Sequence, residues 1–195
     1  MALISLVVLK LFFRLEIRNK QYVPMKGPII LAANHFSMID AWLLQVACPR
    51  RITYMVEAEY YESWGWWFYR MHKAIPVRAK GPNKEAVVSG LNALEKNGVL
   101  GIFPEGWGEK VDGKVGEGNP GVAMFSSWSH VPVLPIYISG SHEALPKGTV
   151  LPRLTRLTVT YGKPIRYNHI EKPNKEMLRK MTDEIMGRIK ELAKE

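Results

Sequence analysis

The stretch Ile29-Ile30-Leu31-Ala32-Ala33-Asn34-His35-Phe36-Ser37-Met38-Ile39-Asp40 decides how this chain folds. Its first five residues are an unbroken apolar run. A strand wetted on one face alternates apolar with polar residues, so a continuous run of this kind marks a strand covered on both faces. The run ends at Asn34 and His35, and a helix containing Ala41 to Ala47 follows. A buried strand leading into a helix is the repeating unit of α/β sheets, and the strand end is where such sheets place ligands.

Similar runs stand on either side of this unit: Ile52 to Val56, Ala74 to Val77, Val99 to Phe103, Val131 to Ile138 and Leu157 to Tyr161. Helical segments separate them. Asn83 is placed to cap a helix carrying Val87, Leu91 and Leu94 that ends at Asn97-Gly98, and Asn119-Pro120 has the form of a cap followed by proline at a first helical position. Leu178, Met181, Ile185, Ile189 and Leu192 recur at helical spacing, an apolar stripe with lysines around it. The expected fold is α/β, a mixed and largely buried sheet flanked by helices. The two prolines in Val131-Pro132-Val133-Leu134-Pro135-Ile136 predict an edge strand or a bulge there.

Residues 1–18 read as a separate N-terminal helix, and residues 19–195 as one domain. The first 15 residues span about 22 Å as a helix, short of a bilayer core of about 30 Å, and Lys10 and Arg14 interrupt them. That pattern fits an interfacial, amphipathic helix or a helix packed on the domain's own core. In Trp64-Gly65-Trp66-Trp67-Phe68-Tyr69 the aromatics suit either a membrane interface or a pocket wall. The chain has 27 basic and 18 acidic side chains, a net charge of +9, which favours polyanionic partners such as anionic lipid surfaces, phosphorylated substrates or nucleic acid. The basic residues are scattered, and zinc-finger, homeodomain and RNP-like signatures are absent, so a nucleic-acid-binding module is a distant alternative. The single cysteine, Cys48, rules out an intrachain disulfide and sits among apolar neighbours.

Four elements have chemistry in them. His35 ends a buried strand, and Asp40 follows five residues later. A neutral imidazole takes a proton near pH 7, and a carboxylate on its other ring nitrogen fixes the tautomer and steadies the cation. Ser37-Met38-Ile39-Asp40 is also a capping box, so Asp40 has two possible tasks. Phe103-Pro104-Glu105-Gly106 sets an acid and a glycine at a second strand end, and Arg78 closes Ile75-Pro76-Val77 with a guanidinium suited to phosphate. The apolar Val131 to Ile136 is the fourth. A metal-dependent hydrolase using His35, Asp40, Glu105 and His72 lacks a supporting motif such as His-Glu-x2-His.

In this order and spacing the four elements resemble the glycerolipid acyltransferase family, which includes the 1-acylglycerol-3-phosphate acyltransferases. The resemblance runs from about Gln21 to about Gly162. It implies O-acyl transfer, in phospholipid biosynthesis, from an acyl-CoA or acyl carrier protein thioester to a lysophospholipid. It further implies a protein on the cytoplasmic face of the membrane, peripheral or monotopic. His35 would be the general base held by Asp40, Glu105 and Gly106 would position the acceptor, and Arg78 would bind its phosphate. Asn34, Phe103 and Pro104, within the same motifs, are expected in the substrate site; no metal, other cofactor, covalent acyl-enzyme or nucleic acid is implied. The chain departs from the family pattern in two places. Trp107-Gly108 replaces the usual Thr-Arg after the third motif, and Asn119-Pro120-Gly121 stands where a Lys-Gly step is usual. Both changes remove cations from the acceptor side, which raises another lysolipid or a non-phosphate acceptor as the alternative; Lys80, Lys110 and Lys114 are candidate replacements.

Overall fold

The computed structural model describes residues 7, 9–62, 66–78, 83–106, 114–146, 148–149, 151–167 and 173–194. Seven strands form one sheet: β1 (Glu16–Arg18), β2 (Ile29–Ala33), β3 (Ile52–Glu57), β4 (Ile75–Val77), β5 (Val99–Ile102), β6 (Val133–Ser139) and β7 (Thr158–Tyr161). Their order is β1-β7-β6-β2-β5-β3-β4. Strands β2 to β6 run parallel, β7 is antiparallel to β6, and β1 is parallel to β7. The sheet is therefore mixed, as expected.

Strand β2 lies at its centre, Ile30 facing Leu100 on one side and Val133 on the other. All five of its residues are buried, because helices cover both faces. Ile29, Leu31 and Ala33 join a core with Leu43, Leu44 and Ala47 of helix α1 (Asp40–Ala47). Ile30 and Ala32 join a second core. That core takes Leu94 from the helix Lys84–Glu95, Phe125 from Gly121–Ser129, and Ile185 and Ile189 from Lys175–Leu192. Each fully buried aliphatic side chain contributes roughly 1.5–3 kcal/mol, so β2 is fixed from both sides, and with it the residues that follow.

Three local readings change. The N-terminal segment is helical at residues 9–12, but Arg14 turns the chain with φ 46, and residues 16–18 form β1, not more helix. Strand β6 is interior, between β7 and β2. Pro135 is accommodated there by a bulge: Ile136 pairs with Tyr161 but Val133 with Ile165, so three steps on β6 meet four on its partner. The Gly162 N–H donates to the Pro135 carbonyl on that side, where the missing proline donor would otherwise be needed. Finally, Asn83 precedes its helix without capping it. Its side chain grips the backbone of Arg78 in both directions, at 2.8 and 2.9 Å. The helix Gly121–Ser129 has Pro120, not Asn119, at its N-cap position, and the Asn119 N–H donates to the Pro104 carbonyl at 2.7 Å. The side-chain cap at the start of the last helix is Asn174, which accepts from the Met177 N–H at 2.8 Å.

Candidate active site

His35 follows β2, Glu105 follows β5, Glu57 ends β3 and Arg78 follows β4. Because these strands are parallel, all four positions lie along one edge of the sheet, at the carboxyl ends. The topology thus gathers residues up to 70 positions apart, such as His35 and Glu105.

Nδ1 of His35 lies 2.9 Å from Oδ2 of Asp40, the imidazole side chain 14% exposed and the carboxylate 0%. An ionised carboxylate only accepts, so this contact assigns the proton of the neutral ring to Nδ1 and leaves Nε2 as the basic nitrogen. The same Oδ2 accepts the N–H groups of Phe36 and Ser37 at 2.7 and 2.8 Å. Asp40 is the first residue of α1, where the helix dipole also favours a negative charge. The capping box is therefore half formed. Asp40 reaches back to Ser37, but the Ser37 hydroxyl donates to the Leu145 carbonyl instead of the helix. One carboxylate both starts the helix and orients the ring.

The Phe103 turn completes the support. Its ring stacks on His35 with centroids 4.3 Å apart and an interplanar angle of 22°, and on Tyr54 behind it. Glu105 is 7% exposed; Oε2 accepts the His35 N–H at 3.2 Å and Oε1 the Gly116 N–H at 2.6 Å. Its carboxylate ties the backbone beneath the imidazole to the loop across the edge. Gly106 sits at φ 64, and its N–H closes the turn onto the Phe103 carbonyl at 3.0 Å. A side chain there would be strained.

Three further residues expected in the substrate site are Asn34, Pro104 and Arg78. Asn34 is fully buried, its amide donating to the Ile138 carbonyl at 2.9 Å and accepting the Ile138 N–H at 2.7 Å. It joins β2 to β6. Pro104 is buried, with its carbonyl taken by Asn119. Arg78 is exposed and lies outside the cleft that His35 lines. Trp107, Gly108, Lys80 and Lys110 fall outside the described residues, as do Trp64 and Gly65, while Trp66 and Trp67 are exposed. Among the described residues no group of three or more His, Cys, Asp or Glu is placed to hold a metal ion.

The cleft beside His35 is walled by Phe103, Tyr54, Tyr60 and Tyr69, with Glu57 among them. Burial raises the pKa of all three tyrosines; for Tyr60 the charges of Glu57 and Glu59 add to it, and for Tyr69 the neighbouring Tyr60 does. The phenols therefore stay protonated, and that of Tyr54 donates to the Ala41 carbonyl at 2.7 Å.

Residues 14–139, more than half of the chain and including every motif named above except the end of the sheet, match the family model described as Acyltransferase. The chain belongs to the acyltransferase family. An acyltransferase is also what the curated relatives are called. The 1-acyl-sn-glycerol-3-phosphate acyltransferase of Bacillus subtilis is 27% identical over 95% of this chain and 92% of its own. That of Limnanthes alba is 30% identical over 77% of this chain, which spans 54% of the plant protein. The crystal structure of the 1-acyl-sn-glycerophosphate acyltransferase PlsC of Thermotoga maritima superposes with a TM-score of 0.74. It covers 99% of this chain and 81% of its own at 22% identity, a likeness of fold.

Sequence reasoning missed two features of this candidate site. Phe103 packs on the imidazole as well as lining the cleft; an aromatic just before the Pro-Glu-Gly turn is the available signal. Glu57 passed unnoticed because a lone acid at a strand end carries no pattern.

Proposed function

We propose that this acyltransferase moves a fatty acyl group from a thioester, on coenzyme A or acyl carrier protein, to the free hydroxyl of a lysophospholipid, 1-acylglycerol-3-phosphate above all. The observation that carries the reading is the 2.9 Å contact of His35 Nδ1 with a buried Asp40 at the mouth of a cleft. The acceptor hydroxyl sits against Nε2. As its oxygen bonds to the acyl carbon, its proton passes to Nε2, and the imidazolium is steadied by Asp40. The tetrahedral intermediate collapses, the C–S bond breaks, and His35 returns the proton to the leaving thiolate. Asp40 and Glu105 act as positioning residues. General-base assistance of this kind accelerates a reaction by about 10²–10⁴. The names of the relatives in Bacillus subtilis and Limnanthes alba support the phosphate-headed acceptor.

The reading includes a peripheral or monotopic seat at the cytoplasmic face of a membrane. Among the described residues no helix is long and apolar enough to cross one. Support comes from an apolar ridge: Leu11 and Phe12 border one cavity with Leu154, and all three are exposed, as is Leu151. Arg14 and Arg156 border the same cavity, a combination suited to anionic headgroups. The loop carrying Leu151 and Leu154 follows Leu145, whose carbonyl accepts the Ser37 hydroxyl, so the ridge lies beyond the edge that carries His35.

Purified protein supplied with acyl-CoA or acyl carrier protein donors and a panel of lysolipids tests the activity. Formation of diacyl product from 1-acylglycerol-3-phosphate is expected; no product with any pair contradicts it. Flotation with anionic liposomes tests the seat, and L151S/L154S is expected to weaken it severalfold. Equal flotation of the two proteins contradicts the ridge.

A further inference from the structure

Among the described residues no lysine or arginine lines the cleft at His35, and Glu57 does. Glu57 is the last residue of β3, half-buried, in register with Val77 of β4. An acid in a cleft built for hydrocarbon alone is costly, since burying an unpaired charge is strongly unfavourable. Tyr54, Tyr60 and Tyr69 line the same space, and the Glu57 charge lies close enough to Tyr60 to help raise its pKa. Aromatic faces together with a carboxylate are the standard chemistry for holding an ammonium group.

We infer that Glu57, with Tyr54, Tyr60 and Tyr69, forms a subsite for an ammonium headgroup, so that the enzyme acylates lysolipids ending in an amine as a second acceptor class. This rests on the acyl transfer by His35 proposed above. The chemistry is unchanged. The acceptor hydroxyl oxygen bonds to the acyl carbon, the thioester C–S bond breaks, and the hydroxyl proton travels through His35 to the thiolate.

The test uses the full chain with an acyl-CoA donor and four acceptors: lysophosphatidylethanolamine, its N-acetylated form, lysophosphatidylglycerol and 1-acylglycerol-3-phosphate. Wild-type protein is expected to acylate lysophosphatidylethanolamine about tenfold better, in kcat/KM, than the N-acetylated or glycerol-headed lipid, the factor of one charge-assisted contact. E57Q is expected to lower the ratio of kcat/KM for lysophosphatidylethanolamine to that for 1-acylglycerol-3-phosphate by about tenfold, and E57D to restore most of it. The acetylated lipid needs no variant, so the test survives if E57Q fails to fold. Equal rates on the amine and its acetylated form, or an E57Q ratio within twofold of wild type, overturn the subsite. Turnover of 1-acylglycerol-3-phosphate alone overturns this inference and leaves the acyltransferase reading standing. Turnover of none overturns both.

Discussion

Asp40→Asn separates the two tasks of one carboxylate. Oδ2 of Asp40 accepts three hydrogen bonds, from Phe36 N–H at 2.7 Å, Ser37 N–H at 2.8 Å and His35 Nδ1 at 2.9 Å. The amide of asparagine retains one oxygen, which accepts the two backbone donors. Its loss there is the difference between a charged and a neutral acceptor, about 1 kcal/mol, with about 0.3–1 kcal/mol more for the dipole of α1. At this chain length that lowers Tm by about 3–8 °C. The third contact falls on the same oxygen, so it too is kept, while the amide NH2 takes the place of Oδ1, which has no hydrogen-bond partner among the described residues. What is lost is the negative charge that steadies the imidazolium as His35 takes the proton. The expected fall in kcat is about 10²–10⁴. Asp40→Ala is the companion, since it leaves the Phe36 and Ser37 donors without that acceptor and should cost about 2–4 kcal/mol. The assay is steady-state acyl transfer at saturating donor and acceptor, beside thermal unfolding followed by circular dichroism. If Asp40→Asn retains kcat within threefold while Tm falls, the carboxylate is only a helix cap and the reasoning fails.

Three further outcomes follow from the structure. Glu105→Ala removes the acceptor of the His35 and Gly116 N–H groups, and should cost about 1–3 kcal/mol; both amides should exchange hydrogen faster, and unchanged exchange would contradict the tie. The Cys48 thiol is buried, and burial pushes its pKa up despite the nearby Arg50, so a thiol reagent at pH 8 should label it only after unfolding; native labelling at the unfolded rate would contradict the packing. Burial, then the Arg51 charge, holds His72 below its ordinary 6.5, so the unfolded chain takes the proton first as pH falls. Its contribution to stability is present above about 6.5 and is lost below it; the stability of wild type minus that of His72→Gln should therefore shrink from pH 7 to pH 5, and a constant difference would contradict the shift.

What could be read from the chain alone depended on how local the cause was. Strand β2 was legible because a strand buried on both faces leaves an unbroken apolar run, and the His35–Asp40 pair because its spacing is five residues. Strand β1 was not. Glu16-Ile17-Arg18 is short and polar, and it becomes a strand only through backbone pairing with Thr158 to Thr160. The prolines of β6 point to a sheet edge or a bulge because proline lacks a ladder donor, and the bulge is the outcome; that residues 161–165 opposite make it is what no local pattern reveals. Asn34 shows the same limit. Its amide is occupied by Ile138, 104 residues away, so its structural task is invisible beside a histidine that looks catalytic. Glu105 was placed correctly at a strand end, but its partners, a backbone N–H of His35 and another of Gly116, emerge only when the parallel strands bring their carboxyl ends together.

The most direct measurement is a rapid-quench single turnover with radiolabelled acyl-CoA and 1-acylglycerol-3-phosphate, comparing wild type with His35→Ala. With Nε2 of His35 as the base, the rate of ester formation should fall by about 10²–10⁴ while the far-ultraviolet circular dichroism spectrum is unchanged. Ester formation by the variant within threefold of wild type would contradict the account.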